Sequence, residues 1–119
     1  MSKGESGGFK GTKGSSITIS DKKMYQDGNH FNKHGRNMGY SDKKSYDAAA
    51  KEFVKKYQDD PNASIYEGIW NGKGTLNGHR QRIVTYGGKT AIIDPNTGQV
   101  IDFYQGTDYR GIINIKKLR

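Results

Sequence analysis

The segment 29–35, Asn-His-Phe-Asn-Lys-His-Gly, holds the residues with the clearest capacity for chemistry. It spaces His30 and His34 four positions apart, with Lys33 directly before the second histidine. On a helix, residues four apart lie on one face, so the two imidazoles would share one patch. Imidazole gains and loses a proton near neutral pH, and a neighbouring ammonium group attracts anions. The spacing therefore predicts acid–base chemistry on a negatively charged substrate.

RNA is a polyanion that such a patch could cut without a metal. Cleavage needs a base for the 2′-hydroxyl proton, an acid for the leaving 5′-oxygen, and a cation or donor that stabilises charge on the phosphorus. His34 and His30 are the candidate acid and base, in an order that the sequence leaves open, and Lys33 is the candidate cation. The alternative is that one histidine caps or packs a helix and the other is solvated. No metal site is predicted, since H-E-x-x-H requires a glutamate that is missing here and Lys33 would repel a cation.

A second candidate group lies in segment 102–110, Asp-Phe-Tyr-Gln-Gly-Thr-Asp-Tyr-Arg, where a predicted strand leaves its sheet. Thr107 and Arg110 could contact a phosphate, and Tyr104 or Tyr109 could contact a base. The alternative is an ordinary loop at a sheet edge.

The charge of the chain points to an acidic partner. Its 20 lysines and arginines against 12 aspartates and glutamates give a formal net charge of +8. Nucleic acid is the first expectation and an anionic membrane surface the second, while the plain alternative is a basic surface that aids solubility. Arg80 and Arg82 alternate with Gln81 on a predicted strand, so both would face one side of the sheet as candidate substrate-binding groups.

The pattern of elements predicts an α+β fold, with N-terminal helices packed on a four- to five-stranded antiparallel sheet. Residues 1–28 are rich in glycine, serine and lysine and predict a flexible linker or tail, with the domain spanning 29–119. Ser41 is the expected N-cap of the second helix. Helices are predicted over 24–38, ended or bent by Gly35, and over 42–57, and strands over 65–70, 80–86, 89–94, 99–104 and 112–115.

Several classes are excluded or disfavoured by composition. The chain has no cysteine, which removes disulfides, zinc–thiolate sites and a cysteine nucleophile. The glycine-rich stretch 72–78 lacks the lysine and serine or threonine of a phosphate-binding loop, so no cofactor is predicted. No apolar run approaches the ~20 residues of a membrane span.

Five short motifs carry a resemblance to a known family. The chain resembles C-terminal RNase toxin domains of bacterial polymorphic and contact-dependent inhibition toxins, in particular the colicin D-like RNases of the barnase–EndoU–colicin–RelE fold group. The resemblance covers about residues 29 to 107. Its motifs are Lys-His-Gly at 33–35, Met-Gly-Tyr at 38–40, Phe-Val-Lys-Lys-Tyr at 53–57, Ile-Tyr-Glu-Gly at 65–68 and Asp-Pro-Asn-Thr-Gly-Gln-Val-Ile at 94–101.

The resemblance implies a metal-free endoribonuclease that cuts tRNA and leaves a 2′,3′-cyclic phosphate. Such a domain is delivered as part of a larger secreted or cell-surface toxin, acts in the target-cell cytoplasm, and is neutralised by a cognate acidic immunity protein; we expect a monomer when it is free. The family's lysine–histidine pair maps onto Lys33 and His34. Segment 102–104 lacks the serine and tryptophan of colicin D, which leaves the aromatic role to Tyr104 and the hydroxyl role to Thr107.

Other classes stay open beside this one. A non-catalytic nucleic-acid-binding module would use the same charge without needing paired histidines, and a DNase of the histidine–metal type would need a divalent ion. A zinc deaminase would need cysteines, and no NAD-binding pattern supports an ADP-ribosyltransferase. In a structural or adhesive domain the histidine pair would be accidental.

Overall fold

The computed structural model describes residues 16–72, 74–109 and 111–119. The elements in chain order are α1 (Asp27–His30), a π-helical segment (Phe31–Gly35), α2 (Lys43–Tyr57), β1 (Ser64–Trp70), β2 (Arg80–Tyr86), β3 (Lys89–Ile93), β4 (Val100–Gln105) and β5 (Ile112–Lys117). The five strands form one antiparallel sheet in the order β4-β3-β2-β1-β5, so the predicted α+β fold with N-terminal helices is confirmed. None of the helices in the described part of the chain has the length and apolar character that a membrane span requires.

Helix α2 begins at Lys43, one residue later than the sequence predicted, and its N-cap moves by one residue as well. Asp42, not Ser41, is the N-cap, and its side chain accepts a hydrogen bond of 2.7 Å from the backbone N–H of Ser45. A carboxylate at this position accepts from a backbone N–H that has no partner within the helix, and its negative charge is stabilised by the positive end of the helix dipole. The helix buries one apolar face, formed by Tyr46, Ala50, Phe53 and Val54.

The sheet has two different faces because side chains alternate along each strand. The face under α2, here called the helix-covered face, contributes to the main core through Ile65, Val84, Ala91, Ile93, Val100 and Phe103. The opposite face, here called the cavity face, has a second apolar cluster built on Ile83, Ile92, Ile101 and Ile112. The two-residue period therefore decides which side chains can meet at a site on either face.

The segment before α1 packs against the sheet. Met24 is only 2% exposed, and Ile17 and Ile19 contact the main core. Backbone hydrogen bonds join Ser20 to Gly98 (2.8 Å) and Tyr25 to Val100 (3.0 Å). The packed part of the chain thus starts before residue 29, where the sequence placed the start of the domain. Residues 1–15 of the predicted tail 1–28 lie outside the described residues.

The predicted long helix over 24–38 is instead the short α1 followed by a π-helical turn. The wider turn is seen in the hydrogen bond of 3.0 Å from the Arg36 N–H to the Phe31 carbonyl, five residues back. Gly35 ends this turn against the core, where a Cβ would lie 2.6 Å from Phe31 and 3.0 Å from the ring of Tyr46. A residue without a side chain therefore lets the turn approach α2 closely.

Candidate functional site

His30, His34 and Asp102 come together where the π-helical segment meets β4. His30 Nδ1 lies 3.2 Å from Asp102 Oδ1, and His34 Nε2 lies 3.7 Å from Asp102 Oδ2. The two imidazole rings are nearly parallel, with centroids 6.2 Å apart and 14° between their planes. The two oxygens of one carboxylate thus each lie close to a different imidazole. We call these three residues the His–Asp cluster.

Irregular backbone on both sides of the contact positions the cluster. Gln26, just before α1, has the left-handed φ of 50°, which is uncommon for a residue with a side chain. The β3–β4 register shifts at Ile92/Ile93, so that Ile92 pairs with Asp102 while Ile93 pairs with Val100. A π-turn and a shifted register are irregularities that occur often at functional sites.

Burial shifts the proton affinity of all three groups. It lowers the pKa of His30 to about 4, helped by the neighbouring His34 and Lys33, and Asp27 opposes it. Burial and then Lys33 also lower the pKa of His34. Burial raises the pKa of Asp102 to about 6, partly offset by a hydrogen bond from the Phe103 backbone and by Lys33. At neutral pH the imidazoles are therefore mainly neutral beside a carboxylate that titrates close to physiological pH.

The His–Asp cluster forms one wall of a cavity of about 630 Å³ on the cavity face. That volume lies within the usual range for small-ligand sites, roughly 300–1,000 Å³. Lys33 lines the same wall. Tyr104 also lines it, with its ring 5.2 Å from that of His34. Its hydroxyl donates to the Asp108 carbonyl, and burial raises its pKa, so it stays protonated.

Asp102 also completes a group of three side chains that could bind a metal ion. The two imidazoles and the carboxylate each offer one ligand atom, and these atoms lie within 4.8 Å of one another. Two histidines and one carboxylate are a known ligand set for divalent transition metals. The chain lacks the glutamate of H-E-x-x-H, but Asp102 supplies a carboxylate from β4 instead. A metal-bound form therefore stays an alternative, which Lys33 opposes electrostatically.

Two of the other loop residues predicted for the site, Thr107 and Tyr109, do not line the cavity. Thr107 is exposed and does not line the cavity. Tyr109 packs against Tyr66, and its hydroxyl lies 3.1 Å from that of Thr85. Arg110 lies outside the described residues. Of the predicted hydroxyl and base-contacting groups, Tyr104 is the one that the structure places beside His34.

Arg80 and Arg82 are on the wrong side of the sheet for this site. Both alternate with Gln81 onto the helix-covered face, and both bind Glu67, at 2.7 Å and 3.0 Å. Burial alone would raise the pKa of Glu67, but these hydrogen bonds hold it below its usual range. The two arginines therefore do not join the histidines, because the sheet lies between them, and their role in substrate binding stays a prediction.

Asp102 belongs to segment 102–110, which the sequence predicted as a candidate group, but no local pattern marked Asp102 itself as a site residue. Its role depends on the packing of residues 27–35 onto β4, which brings together positions about 70 apart in the chain. Gln81 also lines the cavity. Its place on the cavity face could have been predicted, because the residue between two arginines on a strand faces the opposite side from both.

No protein-family model matches the chain, and neither a curated protein nor a solved structure is significantly similar to it. The geometry of the chain's own residues is therefore the basis for assigning a function.

Proposed function

We propose that this protein is a metal-independent endoribonuclease, with tRNA as its RNA substrate. The observation that carries the proposal is the His–Asp cluster, in which two imidazoles and a titratable carboxylate converge on the wall of an open cavity. The net charge of +8 supports a polyanionic substrate.

In the proposed reaction the 2′-oxygen attacks the adjacent phosphorus and the 5′-oxygen leaves. The Asp102 carboxylate, next to neutral His30, accepts the 2′-hydroxyl proton. His34 in its protonated form gives a proton to the departing 5′-oxygen, so the products are a 2′,3′-cyclic phosphate and a 5′-hydroxyl. The proton returns from Asp102 to His34 through solvent or the shared contact, and the enzyme is restored.

Two further groups on the same wall support the transition state. The ammonium group of Lys33 offsets negative charge that builds up on the phosphorane oxygens. Tyr104, held by its hydrogen bond to the Asp108 carbonyl, offers its ring beside His34 to a ribose or base. These assignments keep His34 as the acid–base group and His30 as its partner, and add Asp102 as the base.

The biological setting follows from the sequence resemblance to colicin D-like toxin domains. We propose that the domain belongs to a larger secreted or surface-displayed toxin, acts in the cytoplasm of a rival bacterium, and is monomeric when free. A cognate immunity protein would be acidic, because a surface with net charge +8 associates fastest with an opposite charge.

The test is to incubate the purified protein with bacterial tRNA in EDTA, with His34→Ala beside it and His79→Ala as the matched control. His79 is half-exposed, lies 3.7 Å from Asp94 and does not line the cavity. We expect discrete fragments from the parent and from His79→Ala, and a loss of roughly 100-fold or more from His34→Ala. Equal cleavage by His34→Ala and the parent, with both folded by circular dichroism, would contradict the proposal.

A second candidate is a metal-dependent nuclease, and the three ligand atoms of the His–Asp cluster are the observation that favours it. In that case EDTA abolishes cleavage, and one divalent ion restores it in the parent but not in His34→Ala. RNA that is bound but never cut, with or without metal, would instead favour a binding module.

A further inference from the structure

The floor of the cavity differs from the wall that holds the His–Asp cluster. It is lined by apolar and aromatic side chains from four strands and two flanking loops: Tyr25, Trp70, Leu76, Ile92, Ile101 and Ile112. Such a surface suits a flat, weakly polar group better than it suits a phosphate. The charged wall and the apolar floor together match the two halves of a nucleotide.

One polar side chain interrupts this apolar floor. Gln81 lies on β2, is only 3% exposed, and lines the cavity from the cavity face. Its backbone is paired with Gly68 in the sheet. Among the described residues, its side-chain amide has no hydrogen-bond partner. Leaving a buried amide unsatisfied costs roughly 1–3 kcal/mol, which a ligand with matching donors and acceptors would recover.

The position of Gln81 relative to the cluster fits a nucleotide. Asp102 pairs with Ile92, and Ile92 pairs with Ile83, so these three residues form a row across β4, β3 and β2. Gln81 is two residues from Ile83 on the same face. With strands about 4.8 Å apart and about 3.4 Å per residue, the backbones of Gln81 and Asp102 are roughly 12 Å apart. A ribose held at the cluster would direct its base towards Gln81.

The Trp70 ring on this floor packs closely against the backbone of two loops. A Cβ at Gly72 would lie 2.5 Å from the Trp70 ring, and one at Gly111 would lie 2.2 Å from it. The two glycines thus let the backbone close on the indole from two loops. An aromatic ring fixed in this way can stack on a base without losing further freedom.

We propose that this floor is a nucleobase pocket, in which the Gln81 amide reads the edge of the base next to the cleaved phosphate. The amide offers a donor and an acceptor side by side, the arrangement with which glutamine pairs to adenine. Adenine is therefore the expected base. This inference rests on the proposed function for the position of the phosphate, but the binding of a base can be measured without cleavage.

Trp70 is the only tryptophan, so its fluorescence reports directly on this floor. The experiment titrates the four nucleoside 3′-monophosphates, with ribose 5-phosphate as the base-free control, and excites where the bases absorb little. We expect a saturable change with adenosine 3′-monophosphate at the lowest concentration and none with ribose 5-phosphate. Gln81→Leu should weaken adenosine 3′-monophosphate binding about tenfold or more, and Asn96→Leu, an exposed amide on the β3–β4 turn, should not.

Thermal unfolding separates this role from a structural one. If Gln81 is kept for a ligand, Gln81→Leu raises the melting temperature of the free protein, because it removes an unsatisfied buried amide. Equal affinity for nucleotides and ribose 5-phosphate, or a Gln81→Leu protein that melts lower and binds as tightly as the parent, overturns the pocket. Base binding without RNA cleavage would keep the pocket and reject the ribonuclease.

Discussion

The Asp102 carboxylate is partly buried beside two histidines. Its negative charge at neutral pH therefore makes the folded protein less stable. Its pKa rises from an ordinary 3.8 to about 6. A raised carboxyl pKa stabilises the folded state fully below pH 4, and that contribution is lost as pH rises through about 6. A rise of this size in the pKa corresponds to at most about 3 kcal/mol of unfolding free energy.

Replacing Asp102 by asparagine should therefore stabilise the protein while destroying its activity. At pH 8 we expect Asp102→Asn to unfold with a free energy about 1–3 kcal/mol above that of the parent, and the difference should vanish near pH 4. The pKa of His30 is lowered by burial first and then by His34 and Lys33, and the substitution leaves these three causes in place. Cleavage should fall roughly 100-fold or more. Urea unfolding at both pH values measures this, with the exposed Asp21→Asn as control; a less stable variant at pH 8 would contradict it.

The pH dependence of cleavage follows from the same pKa changes. The rate should rise with pH as Asp102 loses its proton near 6. It should fall again as His34, whose pKa lies below its ordinary 6.5, loses the proton that it must donate. We expect a bell-shaped profile with an optimum near or below pH 6.5, measured as initial rates on one RNA. A rate that still climbs above pH 8 would exclude these roles.

At the scale of elements, the π-helical segment depends on a close approach that only glycine permits. Gly35→Ala would place its methyl group 2.6 Å from Phe31 and 3.0 Å from Tyr46. We expect a loss of about 1–3 kcal/mol in unfolding free energy and weaker cleavage, because the turn carries His34.

Gly28→Ala is the matched control for this change. Gly28 lies in α1 of the same segment, and the nearest atom to its added Cβ, on Lys43, would be 4.0 Å away. An alanine there should be neutral or stabilise the protein by up to about 1 kcal/mol. If both variants unfolded at the same denaturant concentration, close packing of Gly35 on α2 would not be what positions the histidines.

The elements also show what the sequence could predict. Alternating strands and the amphipathic face of α2 have regular periods, so the sheet and this helix followed from the pattern. The π-turn has no periodic signal, and it ends where Gly35 approaches Tyr46 of α2, a tertiary contact that local sequence does not reveal. The histidine pair was visible because both residues belong to one local segment. Asp102 joined the site through the packing of residues 27–35 on β4, which local pattern cannot encode. For Gln81, the alternation along β2 gives the face of the sheet but not the cavity that forms there.

At the scale of the whole molecule, RNA binding should depend strongly on salt. Phosphate contacts release counterions, so affinity falls as salt rises, with a slope set by the number of contacts. In the inactive His34→Ala background, we expect Lys33→Gln to reduce the slope of log affinity against log salt by about one. Lys55→Gln, on α2 across the sheet from the cavity, should change it little. Equal slopes for the two variants would place bound RNA elsewhere on the molecule.

The most direct test of metal-free acid–base cleavage is the chemistry of the product ends. An end-labelled tRNA is cut by the protein in EDTA, and the new termini are identified by mass spectrometry. Attack by the 2′-oxygen predicts a 2′,3′-cyclic phosphate on one fragment and a 5′-hydroxyl on the other. A 3′-hydroxyl paired with a 5′-phosphate, or cleavage that appears only when a divalent ion is restored, would contradict the proposed chemistry and favour a metal-activated water at the His–Asp cluster.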